Sequence, residues 1–273
     1  MDFDDLDAVP GWFDHADIEL FRWFLQTQQA AGISGDVAEL GAYLGKSAVW
    51  IGSHLGQGET FTVIDLFGES AADAANQSEN RTQYEDLSRA AFERNYLRFH
   101  RDLPVVVTAP SQSIVDHAAH GTHRFVHVDA SHLYEHVRDD IRAARTLLAP
   151  DGVVALDDVR SPHTPGVWAA AWEAVLTSEL RPIVVSELKM YATWGDAEAW
   201  RQRLRDGCPG SVNLEEQLVL GEPLLRVWNK SRPPNHPYVN ALTPPAAMRQ
   251  ALRLRAKINA GRRRRARERT GPT

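Results

Sequence analysis

Acidic residues end two apolar segments of the sequence, in positions where they could support chemistry. Asp129 follows the segment 124–128, and Asp157 and Asp158 follow the segment 153–156. If both segments are strands of one parallel sheet, their carboxyl ends meet at one edge and the carboxylates face a common crevice. Such hard oxygen ligands with open positions suit Mg²⁺. We therefore predict a magnesium site at Asp129, Asp157 and Asp158; the alternative is that these residues cap helices or remain solvated.

Glycines and acidic residues near the first apolar stretch form a pattern typical of a nucleoside site. Glu39 lies near the end of that stretch and is followed by Gly41 and Gly45, and Asp65 ends the next stretch. Glycines let a ligand approach the backbone closely. The G-x-x-x-G spacing differs from the G-x-G-x-x-G loop that seats a pyrophosphate, so no pyrophosphate is expected. Asp65 is placed to accept both hydroxyls of a ribose.

Strand-like and helix-like segments alternate along the chain and would position these groups. The alternation predicts βαβ units and an α/β fold with a doubly wound, mostly parallel sheet. The predicted strands cover residues 37–40, 61–64, 105–107, 124–128 and 153–156, and the predicted helices cover 45–55, 112–119, 134–148 and 166–179. Two further apolar stretches, 183–188 and 217–228, are predicted to close the sheet as a hairpin-like pair.

Both ends of the chain and one long connection fall outside this alternation. Apolar residues at helical spacing over 15–31 predict an amphipathic helix within an N-terminal extension, 1–34, ahead of the main domain at 35–230. The connection 68–102 is longer than usual, and we predict that it forms a lid. Residues 231–273 are predicted to form a proline-rich linker and a basic C-terminal helix.

Composition restricts the classes of protein that fit. With 273 residues, of which 43% are hydrophobic and 24% charged, the chain can bury one substantial core, which excludes disorder throughout. Its apolar runs are too short to span a membrane, and its acidic start is unlike a signal peptide, so we expect a cytoplasmic protein without a membrane span. The single cysteine, Cys208, permits no internal disulfide.

Charge is distributed unevenly along the chain. The formal net charge is −6, but residues 249–273 hold ten Lys or Arg and one acid, Glu268, which leaves −15 for the rest. A basic tail suggests a nucleic-acid-binding or RNA-modifying protein, which is the alternative of a different class. The acidic body would repel a phosphate backbone, and no aromatic residues are interleaved with the arginines, so we do not expect a nucleic-acid partner.

Several runs of sequence carry a resemblance to a known family. The run 37–47, VAELGAYLGKS, together with Asp65 resembles the cofactor motif of class I S-adenosylmethionine-dependent methyltransferases. The run 128–134, VDASHLY, followed by LAPDG and by Asp157 and Asp158, is similar to metal-dependent sugar O-methyltransferases of the macrocin and mycinamicin type. This similarity covers about residues 18–188 and leaves the tail outside.

The resemblance implies S-adenosylmethionine and Mg²⁺ as cofactors and assigns roles to individual residues. It implies cofactor contacts from Glu39, Gly41, Tyr43, Gly45, Ser47, Asp65, Ser111 and Asp129. In that branch a histidine three residues after the first metal aspartate is the general base, which corresponds to His132. Some relatives use an acid two residues after that aspartate, where this chain has Ser131. His163, just past the metal pair, is the alternative base.

The implied activity is Mg²⁺-dependent transfer of a methyl group to a hydroxyl of a saccharide or glycosylated metabolite, with a small molecule or an oligosaccharide as acceptor. The alternative is the same chemistry on a phenolic or polyketide hydroxyl, because a vicinal diol is common to both acceptor classes. The helix over 15–31 and the prolines before the last helix are compatible with a homodimer.

Overall fold

The computed structural model describes residues 6–69 and 87–230, in which helices cover both faces of a nine-stranded sheet. The strands are β1 Asp36–Leu40, β2 Phe61–Asp65, β3 Val105–Thr108, β4 His123–Val128, β5 Leu148–Leu156, β6 Arg181–Val185, β7 Met190–Thr193, β8 Val212–Val219 and β9 Glu222–Asn229. The helices are α1 His15–Ala30, α2 Lys46–Gly52, α3 Arg89–Tyr96, α4 Tyr134–Leu147, α5 Pro165–Thr177 and α6 Ala197–Gly207, with a 3₁₀ helix at Ser111–Asp116.

The strand order is β3-β2-β1-β4-β5-β7-β6-β9-β8. Strands β1 to β5 pair in parallel, β7 is antiparallel to β5 and β6, and β9 is parallel to β6 and antiparallel to β8. The predicted α/β class, with a doubly wound, mostly parallel sheet and an N-terminal helix, is confirmed. The predicted basic C-terminal helix lies outside the described residues.

Successive side chains of the central strands pack on opposite faces of the sheet. Val37 and Phe125 belong to a core that includes α1, whereas Ala38 and Val126 belong to a second core with α4 and α5. Both faces are therefore covered, and β1 and β4 are buried along almost their whole length. This explains why apolar residues stand next to each other in these strands, as Val37 and Ala38 do, instead of alternating with polar residues. The strands also bury polar side chains, among them Glu39 and His127.

The register of the central strands brings their carboxyl ends to one edge. Leu40 of β1 pairs with Ile64 of β2 and with Val128 of β4, and Val128 pairs with Leu156 of β5. The residues that end or follow these strands therefore emerge side by side, and they are Gly41, Asp65, Asp129 and Asp157.

The stretches 183–188 and 217–228 do supply neighbouring strands, but the prediction of a hairpin-like pair is wrong, because β9 runs parallel to β6. Strand β6 is instead followed by β7, which lies between β5 and β6, and the stretch 217–228 itself contains the turn of the β8–β9 hairpin. Leu220 and Gly221 form this turn with φ values of 55° and 89°, the positive values that a type I′ turn requires. Because the turn has only two residues and lies inside an apolar stretch, the hydrophobic pattern of the sequence did not indicate where β8 ends and β9 begins.

The apolar pattern of the sequence does not indicate helix α6. Its N-cap Asp196 accepts a hydrogen bond from the backbone N–H of Ala199 at 2.9 Å, and Trp200 and Leu204 are its large buried apolar residues. Two apolar positions one turn apart on a charged helix give a weak periodic signal. No helix within 6–69 or 87–230 is both long enough and apolar enough to cross a membrane.

Part of the connection predicted as a lid, 68–102, is described by the structure. Helix α3 occupies its second half, whereas residues 70–86 lie outside the described ranges. Phe92 of α3 is fully buried and contacts the ring of Phe67, so this helix belongs to the core beside β2. The lid and the predicted domain boundaries stay predictions.

Candidate active site

Asp65 holds the loop between β1 and α2. Its Oδ2 accepts hydrogen bonds from the backbone N–H groups of Ala42 at 2.7 Å and Tyr43 at 3.0 Å, and its Oδ1 accepts one from Phe67 at 2.7 Å. Burial raises the pKa of Asp65, although these backbone hydrogen bonds act in the opposite direction. The carboxylate is partly exposed at the strand end, so it both shapes the loop and lies where the sequence predicts a ribose.

The sequence predicts that Gly41 and Gly45 let a ligand approach the backbone closely. In the structure, both glycines also allow close packing within the protein. Gly41 has a φ of +82°, and a Cβ there would lie 2.2 Å from the backbone oxygen of Asp129. Gly45 has a φ of +93°, and its Cβ would lie 3.0 Å from the ring of Phe92. The absence of side chains therefore allows the β1 loop to pack directly against the β4 loop and against α3.

We expect Gly41→Ala to destabilise the protein more than Gly58→Ala. Both glycines have similar φ values, +82° and +81°, but a Cβ at Gly58 would have nothing within 4 Å in the structure. The additional steric clash at Gly41 should cost about 1–3 kcal/mol beyond the backbone strain that both variants share. Urea unfolding of the two variants measures this difference, and equal free energies of unfolding would contradict the packing role of Gly41.

Glu39 and His127 form a buried pair beneath the loop. His127 Nδ1 lies 2.8 Å from Glu39 Oε1, and among the described residues Oε2 has no hydrogen-bond partner. Burial raises the pKa of Glu39 to about 8, although the nearby Ser47 hydroxyl and Lys189 ammonium act against this rise. Burial also lowers the pKa of His127 well below its usual range, so the imidazole is neutral. A positively charged ligand would favour the ionised form of this carboxyl, and Oε2 beside the glycine loop would then accept a hydrogen bond from the ammonium of an amino-acid ligand.

Asp129 and Asp157 face each other at the ends of β4 and β5. Possible ligand atoms of these two residues and of His127 all lie within 4.8 Å of one another. Burial and the neighbouring Asp157 raise the pKa of Asp129 well above its usual range. Burial would also raise the pKa of Asp157, but the Lys189 ammonium holds it below its usual range. Two crowded carboxylates and an imidazole thus form a site that a cation would stabilise.

Asp158, the third predicted metal ligand, is paired with the predicted base. Its Oδ2 lies 3.0 Å from His132 Nε2, and its backbone N–H donates to Asp157 Oδ1 at 2.7 Å. Asp158 has a φ of 55°, in the left-handed region that only a few non-glycine residues adopt. The ring of His163 lies 6.1 Å from that of His132. The structure therefore places both candidate bases beside the aspartates, with His132 in direct contact with one of them.

Lys189 lies at the centre of the site, although no sequence motif points to it. It is 2% exposed, forms a salt bridge with Asp157, and has its Nζ 3.1 Å from His127 Nε2. Burial alone would lower the pKa of Lys189, but Asp157 and other nearby acids raise it above its usual range. Lys189 immediately precedes β7, and the position of β7 next to β5 brings it to the aspartates. Only the strand order, which the sequence did not reveal, identifies this residue.

The serines considered from the sequence lie at the rim of the same edge. Ser111 opens the 3₁₀ helix after β3, close to the buried Asp140 of α4, whose pKa burial raises to about 7. Ser131 Oγ lies 3.2 Å from His136 Nδ1.

Tyr43, another predicted cofactor contact, packs its ring against Trp12, with the ring centres 5.5 Å apart. The cofactor contacts of Ser111 and Tyr43 stay predictions.

Sequence and structure comparisons show which proteins the chain is similar to. Residues 38–159 match a family model described as a methyltransferase domain, and no curated protein sequence matches the chain. The structure of the O-methyltransferase NovP is 18% identical, with a TM-score of 0.53 over 66% of this chain and 80% of NovP. The calicheamicin methyltransferase CalS11 is 16% identical over 66% of this chain and 79% of its own, with a TM-score of 0.48. The likeness to NovP shows a shared fold.

Proposed function

We propose that the protein is a class I S-adenosylmethionine-dependent methyltransferase, which methylates a hydroxyl of a saccharide or glycosylated metabolite with the help of Mg²⁺. The proposal is supported by the match of residues 38–159 to a family model described as a methyltransferase domain, and by the resemblance of the sequence to that class. The observation that carries this proposal is the convergence on one sheet edge of the Gly41 loop, the acidic pair Asp129 and Asp157, and His132. NovP, which shares the fold, is itself an O-methyltransferase.

The residues of the β1 loop fit S-adenosylmethionine. Glu39 Oε2, the buried oxygen without a hydrogen-bond partner among the described residues, would accept from the ammonium of the amino-acid part. Asp65 would bind the ribose, and Ser47 and Tyr43 would line the same loop. When bound, the cofactor supplies a methyl group on a positively charged sulfur. These contacts are the ones that the sequence motif implies.

The acidic residues fit a divalent cation. Asp129 and Asp157 lie close together, and desolvation together with the negative charge of Asp157 raises the pKa of Asp129 well above its usual range. Mg²⁺ would be held by oxygens of Asp129, Asp157 and Asp158, which form the hard-ligand set that this ion prefers. When bound, it would lower the pKa of an acceptor hydroxyl and fix its direction.

His132 would remove the hydroxyl proton. If His132 Nε2–H donates to Asp158, the imidazole lone pair is on Nδ1, and this atom takes the proton. The deprotonated oxygen would then take the methyl group that S-adenosylmethionine supplies when bound, and the products would be a methyl ether and S-adenosylhomocysteine. Asp158 positions the base in the same way that a third group orients the base in nucleophilic sites.

A saccharide is favoured over other acceptors by the run 128–134, in which His132 stands where the sugar-specific branch has its base. A phenolic or polyketide hydroxyl remains the runner-up acceptor, because the same aspartates would hold any vicinal diol. A cytoplasmic location and a homodimer stay predictions.

A methyl-transfer screen tests the proposed function. The full-length protein is incubated with labelled S-adenosylmethionine and with free sugars, glycosylated metabolites, catechol-type phenols or RNA, each with Mg²⁺ or with EDTA. We expect label in a saccharide-containing acceptor, with little or none in EDTA. Transfer only to phenols would contradict the acceptor class, transfer to RNA would contradict the enzyme class, and equal transfer in EDTA would contradict the role of the metal.

A further inference from the structure

We propose that Lys189 determines which cations the site accepts, by occupying the imidazole nitrogen of His127 that would otherwise bind a metal. This inference rests on the proposed metal site. His127, Asp129 and Asp157 offer ligand atoms within 4.8 Å of one another, which together are a mixed nitrogen and oxygen set. Such a set suits Zn²⁺, Co²⁺ and similar transition ions, whereas oxygen ligands alone suit Mg²⁺ and Mn²⁺.

The direction of the hydrogen bonds removes His127 from the ligand set. Lys189 Nζ lies 3.1 Å from His127 Nε2 and forms a salt bridge with Asp157. An ammonium group only donates hydrogen bonds, so His127 Nε2 must be the acceptor. The proton of the neutral imidazole is then on Nδ1, where it donates to Glu39 Oε1 at 2.8 Å. The one lone pair with which His127 could bind a metal is therefore used by Lys189.

The surroundings of Lys189 hold it in this position. Its side chain is 2% exposed, and its backbone N–H donates to Ser186 Oγ at 2.8 Å. The ammonium also lies 5.7 Å from the ring centre of Phe13 and 5.9 Å from that of Phe21, within the range of a cation–π interaction. Moving it away from His127 would separate a buried charge from its partners, which is strongly unfavourable.

Charge balance gives Lys189 a second effect on the same site. The three proposed ligands Asp129, Asp157 and Asp158 would carry a formal charge of −3 when ionised, and the Lys189 ammonium, which is paired with Asp157, reduces this to −2. One divalent cation then neutralises the site. With Lys189 present, the site therefore offers only carboxylate oxygens as metal ligands, because the imidazole of His127 is not available. The remaining charge of −2 matches one divalent cation.

Metal titrations of Lys189→Met test this inference. Isothermal titration of the full-length wild type and variant with Mg²⁺, Mn²⁺, Zn²⁺ and Co²⁺ gives four dissociation constants for each protein. We expect the preference for Zn²⁺ and Co²⁺ over Mg²⁺ to rise by about 10-fold or more in the variant, the scale on which neighbouring groups change metal affinity. The visible spectrum of bound Co²⁺ should show a nitrogen ligand in the variant and not in the wild type.

Two further variants separate the role of His127 from a simple loss of charge. Lys189→Met combined with His127→Gln should lose the gained preference for Zn²⁺, and Lys230→Met, at an exposed position after β9, should bind as the wild type does. His127→Gln alone should leave the ratio of Zn²⁺ to Mg²⁺ affinity unchanged, because the imidazole is not a ligand in the wild type. This last measurement does not depend on the folding of Lys189→Met.

The outcomes distinguish this inference from the proposed function. An unchanged ratio in Lys189→Met, a gain that survives without His127, or a selective loss of Zn²⁺ binding in His127→Gln would overturn the role of Lys189 while leaving the metal site intact. If neither the wild type nor Lys189→Met binds any of the four cations and methyl transfer is indifferent to EDTA, the metal site and the inference both fail.

Discussion

Asp157→Asn is expected to lower kcat by more than about 100-fold, because even groups that only support a metal ligand change activity by about 10–100-fold. Asp157 lies at the end of β5, faces Asp129, and is the salt-bridge partner of Lys189. Its replacement by asparagine keeps the shape of the side chain and removes one of the negative charges that would hold the cation. Steady-state kinetics over a range of Mg²⁺ concentrations should show weaker activation by the metal.

The effect on folding must be separated from the effect on the reaction. The substitution leaves the buried ammonium of Lys189 with a neutral partner, and loss of one partner of a buried ion pair costs about 3–5 kcal/mol. Thermal unfolding and titration with Mn²⁺ therefore accompany the kinetics. Asp151→Asn is the matched control, because Asp151 is exposed in the first half of β5, away from the carboxyl end of the strand. A folded Asp157→Asn protein with normal turnover in EDTA would contradict the proposed metal site.

His132→Gln is expected to lower kcat by about 10²–10⁴-fold, the usual effect of removing a general base. The imidazole lies 3.0 Å from Asp158, at the edge where the acceptor must meet the cofactor. Glutamine can still hydrogen-bond Asp158 but cannot accept the hydroxyl proton. The KM for S-adenosylmethionine should change little, because the β1 loop that would bind it does not include His132.

His163→Gln is the matched comparison for this prediction. The ring of His163 lies 6.1 Å from that of His132, and its Nδ1 is 2.9 Å from Ser161 Oγ, so both histidines belong to the same region. We expect the loss of kcat in His163→Gln to be much smaller than in His132→Gln. The reverse order would assign the base to His163, and near-normal turnover in both variants would contradict base catalysis by either histidine.

The central part of the fold could be predicted because each strand is buried on both faces. Val37 and Ala38 pack into different cores, so adjacent residues of β1 are apolar, and the segment can be recognised as a buried strand although it also contains Glu39. The distal part of the sheet was harder to predict. The β6–β7 connection and the turn at Leu220 and Gly221 depend on which strands pair, and the position of β7 between β5 and β6 is a tertiary property that no local pattern encodes.

In the candidate site, too, the residues at recognisable strand ends could be predicted from the sequence, whereas a residue that reaches the site through the strand order could not. Asp65, Asp129 and Asp157 could be found because each ends a recognisable strand, and the register then places them at one edge. Lys189 could not be found in this way, because it comes before an antiparallel strand and reaches the site only through the strand order. The clash between a Cβ at Gly41 and the backbone of Asp129 is likewise visible only after β1 and β4 are paired.

A crystal structure of the full-length protein with S-adenosylhomocysteine and Mn²⁺ tests the central claim most directly. We expect the ribose hydroxyls at Asp65, the amino-acid part at Glu39 and the glycine loop, and an anomalous peak for the metal among the oxygens of Asp129, Asp157 and Asp158. A ligand bound away from the β1 loop, or a structure with the ligand in place and no anomalous peak at the aspartates, would contradict this account.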